Sequence, residues 1–310
     1  MIARPSEWTG RWVRRSGAAT AVVASLLLLS VVLQLLNGRD TPTTPQTEQL
    51  YLRSAATLDR MALSFDSVVA DVYWIRALQH FGRTRRSERT EKSYDLLYPL
   101  LDIATTLDPR FNVAYRFGAI FLTEPFPDGP GRPDQAVALL HKATFHMPER
   151  WEYLMDTGFV YYWSLHDYVE AARWFRRAGA IPGSPSWLQS LAATTLAIGG
   201  NRLDSRALWQ QIHETATDEW LQNESLRRLM QLDALDDIDG LLMECERFSS
   251  ISGSWPDDWS TLVEAAHLPA TPLDPLGHAY LLHPSTRTVG VSPESPLLPL
   301  PTEPPRVATP

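Results

Sequence analysis

Histidine and acidic residues are the side chains that could bind a metal ion or activate water, and their spacing completes no catalytic motif. His213-Glu214 begins like the zinc-protease motif HExxH, but Thr217 stands where the second histidine belongs. His141 and His146 are five residues apart, whereas neighbours on one helix face are about three or four apart. We therefore predict no metal site and no cofactor.

The other polar clusters have simpler interpretations as solvated surface. The run Asp233–Asp239 could suggest a calcium loop, but it lacks the loop glycine of an EF-hand, so a solvated helix start is favoured. His278 and His283 could approach each other across a short hairpin, and packed or solvated histidines are the alternative. The single cysteine, Cys245, excludes an internal disulfide and any multi-cysteine metal site. Because nucleotide-binding and nucleophile-elbow motifs are also missing, we predict that the protein is not an enzyme.

The charge balance argues against nucleic acid as a partner. Five of the 28 basic residues and one of the 36 acidic residues lie in 1–39, which leaves 23 basic and 35 acidic residues in the remainder. Binding to phosphates requires a basic face. We therefore expect protein partners.

An apolar run at 18–36 is the element that would position the rest of the chain. Its 19 residues would reach roughly 28 Å as a helix, about one hydrocarbon core. We predict a single-pass transmembrane helix in contact with the bilayer, with a basic leader at 1–17 and a linker at 37–57; a cleaved signal peptide is the alternative. The excess of arginine before the run predicts a cytoplasmic amino terminus and an exported main domain.

Small and aromatic residues recur at fixed spacing in the centre of the chain. Ala171, Phe175 and Ala178 are four and three residues apart, and Gly158 and Tyr161 precede them. The pattern resembles the tetratricopeptide repeat (TPR), a helix pair of about 34 residues. The resemblance implies an all-α fold, with a TPR-like superhelix of four to five helical hairpins at 58–250.

Other stretches extend the resemblance on both sides. Two earlier units share the spacing of small and aromatic residues, but their corners are enlarged at 83–92 and 124–131. A weaker unit runs from Trp187 to Ile212, and 217–230 with 233–248 would form a capping hairpin. The stretch Ser64–Gly82 resembles the opening of bacterial membrane-anchored TPR proteins, which implies the periplasmic side of a bacterial inner membrane.

The resemblance also implies a binding surface, because TPR proteins hold peptides or protein segments on a groove lined by the first helix of each unit. By register, that groove would include Gln79, Asn112, Tyr115, Leu122, Tyr162 and Trp163. Core packing is the alternative for each of these residues. The third unit fits the family pattern in two registers that differ by one residue. Tyr161 keeps the family spacing with Gly158, whereas Tyr162 keeps it with Asp167.

The carboxyl end differs in character from the repeats. Residues 251–292 contain a helix start near Pro256 and two β-prone runs around a Pro-Ser-Thr turn, which predict a small helix and a β-hairpin. The stretch from Asp274 to Tyr280 is similar to a segment near the end of pseudopilins, although the rest of the chain departs from that family. Residues 293–310 hold seven prolines and predict a disordered tail.

These expectations combine into one functional hypothesis. We predict a membrane-anchored TPR scaffold or adaptor that mediates protein–protein interaction on the exported side of a bacterial inner membrane. The alternative is a fixed accessory or structural subunit of a large membrane complex, such as a secretion, pilus or electron-transfer assembly.

Overall fold

The computed structural model describes residues 24–32, 65–88, 91–266 and 270–303. The chain divides into two compact units, Met1–Tyr51 and Leu52–Pro310. In the first unit, residues 24–32 form a helix whose side chains are exposed.

The predicted fold class requires one correction. Among the described residues, no helix has both the length and the apolar character needed to cross a membrane, so the predicted transmembrane helix at 18–36 is not part of the observed fold. The described part of that stretch, 24–32, is helical. The rest of the stretch, the leader at 1–17 and the linker at 37–57 lie outside the described residues.

The described part of the second unit is mainly helical, and its helices follow one another in pairs. The first two pairs are α1 (Asp66–Arg85) with α2 (Leu97–Leu107), and α3 (Asn112–Thr123) with α4 (Pro133–His146). The third pair is α5 (Trp151–Phe159), which continues into a π-helix (Val160–Leu165), with α6 (Tyr168–Gly179). The fourth is α7 (Trp187–Ile198) with α8 (Arg202–Thr215). Each pair packs together and also against the next pair.

Small residues let the paired helices approach closely. A Cβ atom at Gly158 would lie 2.5 Å from Cε1 of Phe175, and one at Gly118 would lie 3.0 Å from Cδ2 of Leu139. Ala171 and Ala178, on either side of the fully buried Phe175, are also fully buried. The repeat spacing in the sequence therefore corresponds to close packing between first and second helices.

The predicted capping hairpin at 217–230 and 233–248 is wrong. One helix, α9 (Glu219–Ser252), runs through the whole region with 34 residues. The two residues between the two predicted helices include no proline or glycine to end a helix. Gln231 and Leu232 are buried there, so packing supports the helix across the predicted break.

A small module follows α9. It comprises α10 (Trp259–Ala266) and the antiparallel strands β1 (Leu281–His283) and β2 (Thr288–Gly290), within the region 251–292 where the sequence predicts a small helix and a β-hairpin. The Tyr280 hydroxyl donates to Asp237 of α9 at 2.9 Å, and the Trp259 indole donates to the Tyr280 carbonyl at 2.7 Å. These bonds join the module to α9.

The proline-rich end, predicted to be disordered over 293–310, instead contacts α9 at Leu297 and Pro299 and α8 at Glu303. Leu297 is fully buried, and the Gln231 side chain donates to the carbonyls of Leu297 and Pro299 at 2.6 and 2.9 Å. A proline-rich composition does not prevent docking when the partner helix supplies donors for the backbone carbonyls. Residues 304–310 lie outside the described part of the chain.

Candidate protein-binding surface

The first helices of units one to three are linked directly to one another. Phe121 of α3 stacks on Trp74 and Phe81 of α1, with ring centroids 6.1 and 4.6 Å apart. Arg116 of α3 donates to Asp156 of α5 from Nε at 2.5 Å and from Nη2 at 3.0 Å. These contacts hold α1, α3 and α5 as neighbours.

The helices α1 and α3 expose apolar side chains on the side away from their buried stripe, and the π-helix that continues α5 exposes Trp163. Val113, Phe117 and Ile120 of α3 follow helical spacing and are 44 to 55% exposed. Val72 and Ile75 of α1 are each half exposed, and Trp163 of the π-helix is 64% exposed. The first-helix face, as we define it here, comprises Val72, Ile75, Val113, Phe117, Ile120 and Trp163.

The structure separates the six predicted groove residues into exposed, half-buried and fully buried pairs. Gln79 and Trp163 are exposed, and Gln79 follows Val72 and Ile75 at helical spacing on α1. Tyr162 is half-buried against a hydrophobic core cluster. Asn112 is half-buried, and its Oδ1 is buried with no hydrogen-bond partner in the described structure.

Tyr115 and Leu122 require correction, because both are fully buried and therefore cannot line an open groove in this structure. The Tyr115 ring meets Tyr153 edge to face at 5.8 Å, and its hydroxyl donates to the Thr105 carbonyl at 3.2 Å. Burial raises the pKa of Tyr115 well above its usual value. Val113, Phe117 and Ile120 occupy the exposed side instead.

Sequence reasoning missed these three residues because α3 is apolar around most of its circumference. Its apolar residues form two stripes on opposite sides, and periodicity alone does not show which stripe packs inward. A bulky residue next to the small residue of the predicted repeat pattern, here Phe117 beside Gly118, was the available signal.

The π-helix explains the two registers of the third unit. A π-helix has a wider turn than an α-helix and accommodates an additional residue. Tyr161 and Tyr162 both lie within the π-helix, between Gly158 before it and Asp167 after it, so the additional residue falls between the two parts of the repeat pattern. His166 ends the segment with a φ of 53°, in the left-handed region that non-glycine residues seldom adopt.

The wide turn also supports the orientation of Trp163. Its ring stacks on Phe159 with centroids 4.5 Å apart and meets Tyr162 edge to face at 5.9 Å. Aromatic pairs of this kind contribute about 0.5–1.5 kcal/mol beyond their buried area. Trp163 is therefore an exposed side chain held by two neighbours, which is typical of an anchor in a binding surface.

The charges next to the face neutralise one another. Burial raises the pKa of the Asp156 carboxyl, and the two hydrogen bonds from Arg116 act in the opposite direction. The hydrogen bond to Asp156 raises the pKa of Arg116 in turn. The pair contributes no net charge, so apolar contact dominates this part of the face.

A second concavity, of about 730 Å³, lies at the corner of the third unit. It is bounded by residues of the π-helix end, the α6 start, the α7 end and the proline-rich segment. Its lining comprises Leu165, His166, Asp167, Tyr168, Val169, Ile198, Gly199, Thr302 and Glu303.

The predicted polar candidates do not come together as a metal centre. The described residues hold no group of three or more potential metal ligands. Nδ1 of His213 lies 3.2 Å from the Ser225 hydroxyl, but that hydroxyl donates to the Gln222 carbonyl at 2.7 Å and is buried. This serine–histidine contact joins α8 to α9 and has no substrate access.

Neither protein-family models, nor curated proteins, nor solved structures give a match to this chain. The resemblance to TPR proteins and the bacterial localisation therefore stay predictions. The functional argument depends on the first-helix face itself.

Proposed function

We propose that this protein is a non-enzymatic scaffold that binds a segment of a partner protein on its first-helix face. The single observation that supports this function best is that α1, α3 and the π-helix that continues α5 expose large apolar side chains. Large exposed apolar patches are uncommon on monomeric proteins and mark interaction sites.

The chemistry of the face favours an apolar partner segment. Aromatic residues dominate the binding energy of protein interfaces, and Phe117 and Trp163 are the two aromatic members of the face. Full burial of one such side chain contributes about 1.5–3 kcal/mol. Two aromatic anchors with aliphatic neighbours suit an amphipathic helix or an extended apolar segment.

A photo-crosslinking amino acid at position 117 tests this proposal in the native source. We expect one discrete protein adduct from position 117 and none from position 145, because Phe145 is 82% exposed but belongs to a second helix. With the crosslinked protein purified, Phe117→Ser combined with Ile120→Ser should weaken its binding at least tenfold, whereas Phe145→Ser should not change it.

The same adduct from both positions, or unchanged affinity of the Phe117→Ser, Ile120→Ser variant, would contradict the proposal. Both variants replace exposed side chains, so circular dichroism and the thermal midpoint should match those of the wild type.

A permanent interface is the second candidate, and the neutralised Arg116–Asp156 pair beside the face favours it. Depletion of net charge at the centre of an interface is typical of obligate complexes. Gentle purification from the native source distinguishes the two functions. A complex of fixed stoichiometry that survives high salt indicates a fixed subunit, whereas a free protein with an exchangeable partner indicates an adaptor.

A further inference from the structure

The helix α1 exposes a stripe of apolar side chains on the side away from α2. Phe65, the residue just before α1, is 67% exposed, and Val68 is 58% exposed. Val72 and Ile75 continue the stripe and are each 50% exposed. We call these four residues the α1 stripe. The buried residues of α1 lie on its other side, where the helix packs against α2, so the described part of the chain leaves the α1 stripe uncovered.

The spacing of the α1 stripe is that of a coiled-coil seam. Its members are three, four and three residues apart, as positions a and d of a heptad are. In the sequence, Gln79 and Gly82 follow at four and three residues, and Met61 and Leu58 precede at four and three. The upstream sequence therefore predicts a longer seam of the same kind, not a separate helix that would cover it. A seam of this kind packs against a second helix with matching spacing.

An apolar outer face is unusual at the end of a repeat array. Arrays of stacked helix pairs need a polar outer face on their terminal units to stay soluble, and α1 belongs to the first pair that the structure describes. The α1 stripe therefore indicates a stack that continues into another helix. The α1 helix of a second copy has the required spacing, and pairing of two identical surfaces about a two-fold axis is the commonest way in which proteins form dimers.

Side-chain volumes favour antiparallel pairing of two α1 helices, in which position a of one helix meets position d of the other. Phe65 then lies opposite Gly82, where an added Cβ would have one neighbour within 4 Å, Nη2 of Arg86 at 3.7 Å. Parallel pairing would instead place Phe65 against its own copy and leave a gap between two glycines. A large residue opposite a small one fills an interface without voids. The antiparallel layers pair Phe65 with Gly82, Val68 with Gln79, and Val72 with Ile75.

The charges of α1 favour the same orientation. Asp66 lies in the first turn of the helix, and Arg83 and Arg85 lie in the last turn. Arg86 follows directly, and its Nε donates to the Gly82 carbonyl of its own chain at 3.0 Å. Antiparallel pairing places the acidic start of one helix beside the basic end of the other, whereas parallel pairing would bring like charges together.

We propose that two copies of this protein pair through the α1 stripe, with their α1 helices antiparallel. The α1 stripe shares Val72 and Ile75 with the first-helix face. Phe117, Ile120 and Trp163 of that face belong to other helices and stay outside the pairing. The proposal therefore does not depend on the proposed function.

Light scattering of the full chain over a range of concentrations tests the pairing. A short seam belongs to the small end of specific interfaces, so we expect the mass of the wild type to rise from one chain toward two as the concentration increases. Val72→Glu with Ile75→Glu places charges of one sign at the centre of the seam in both copies and should weaken dimerisation at least about tenfold. Both side chains are half exposed, so at low concentration, where each protein is a single chain, the thermal midpoints should match.

A variant of the first-helix face serves as the matched control. Phe117→Ser with Ile120→Ser should dimerise like the wild type, so failure of the α1 pairing and failure of the proposed function give different results. The apolar run at 18–36 is the same in all these variants. Association through that run would therefore persist in the variant with Val72→Glu and Ile75→Glu.

Mixed disulfides test the orientation. Chains that carry either Val68→Cys or Gln79→Cys are combined and treated with a mild oxidant. Antiparallel pairing brings position 68 of one copy opposite position 79 of the other, so the disulfide should form between the two different chains. The native Cys245 is fully buried, so the wild type should form no disulfide between chains.

A wild type that stays a single chain at every concentration would overturn the proposal. A lowered thermal midpoint of the variant with Val72→Glu and Ile75→Glu would then show that the α1 stripe packs within its own chain. A dimer that persists in this variant at wild-type strength would also overturn the proposal. Disulfides between two chains that both carry Val68→Cys would contradict the antiparallel orientation.

Discussion

At the scale of single residues, the contact between Gly158 and Phe175 fixes the spacing of the third unit. Phe175→Ala removes a fully buried side chain and should lower the free energy of unfolding by about 3–5 kcal/mol. Gly158→Ala forces a Cβ to within 2.5 Å of the Phe175 ring and should cost about 1–3 kcal/mol. Urea denaturation gives both values.

A double variant shows whether the contact with Phe175 is the reason that Gly158→Ala lowers the free energy of unfolding. Gly158→Ala with Phe175→Leu should be more stable than the sum of the single changes predicts, since the smaller side chain leaves room for the new methyl group. Strict additivity would show that the two sites do not interact.

Asp274 provides a pH-dependent contribution to stability. Burial acts to raise its pKa, but hydrogen bonds from the Ser295 hydroxyl and from the backbone N–H groups of His278 and Leu276 outweigh burial and hold the pKa below its usual value. A lowered folded-state pKa gives stability that is present above the unfolded value of about 3.9 and is lost as pH falls through the folded value.

Asp274→Asn should therefore cost about 1–3 kcal/mol near pH 5, and the difference from the wild type should shrink as the pH approaches 2. Histidines ordinarily titrate near about pH 6.5, above this window. Chemical denaturation at several pH values measures the difference, and the exposed Asp257→Asn serves as the control. If the difference in the free energy of unfolding between the wild type and Asp274→Asn stays constant down to pH 2, the pKa of Asp274 is not lowered in the folded protein.

At the scale of elements, two glycines of α9 should affect stability in opposite directions. Gly240 lies inside the helix and lowers its stability, whereas Gly253 follows the last helical residue and is needed to end the helix. A Cβ at Gly240 meets nothing within 4 Å, and Gly253 ends the helix with a φ of +78°. Gly240→Ala should stabilise the protein by about 0.5–1 kcal/mol. Gly253→Ala should destabilise it by about 1 kcal/mol, because alanine is strained in the left-handed region.

Thermal and urea denaturation of these two variants give opposite signs if α9 is one continuous helix. A stabilising effect at both positions, or at neither, would be inconsistent with a helix that runs from Glu219 to Ser252.

The sequence predicts elements best where small residues are required for close packing. Gly118, Gly158 and Ala171 marked the helix pairs, because each lies where two helices meet closely. The length of α9 was not predictable by the same rule, since its interior faces two cores and its apolar residues lack one periodic stripe. The exposed stripe of α3 was missed for a related reason. The helix has two apolar stripes, only one of them packs into the core, and the sequence pattern does not show which.

At the scale of the described part of the second unit, α9 couples the repeats to the carboxyl module. Leu232 belongs to the core cluster that includes α6, α7 and α8, whereas Ala234 and Cys245 belong to the cluster of the carboxyl module. Arg202 and Arg206 of α8 also pair with Asp236 of α9. A helix shared between two cores should make them unfold together.

Leu232→Ala tests this coupling, because it opens a cavity on the repeat side alone and should cost about 2–5 kcal/mol. We expect hydrogen exchange to accelerate equally in α7 and in β2, since both would exchange through the same global opening. Leu203→Ala, at a side chain of α8 that is 82% exposed, should leave both rates unchanged. Faster exchange in α7 with unchanged exchange in β2 would show that the repeats and the module open independently, and that α9 joins two separately stable parts.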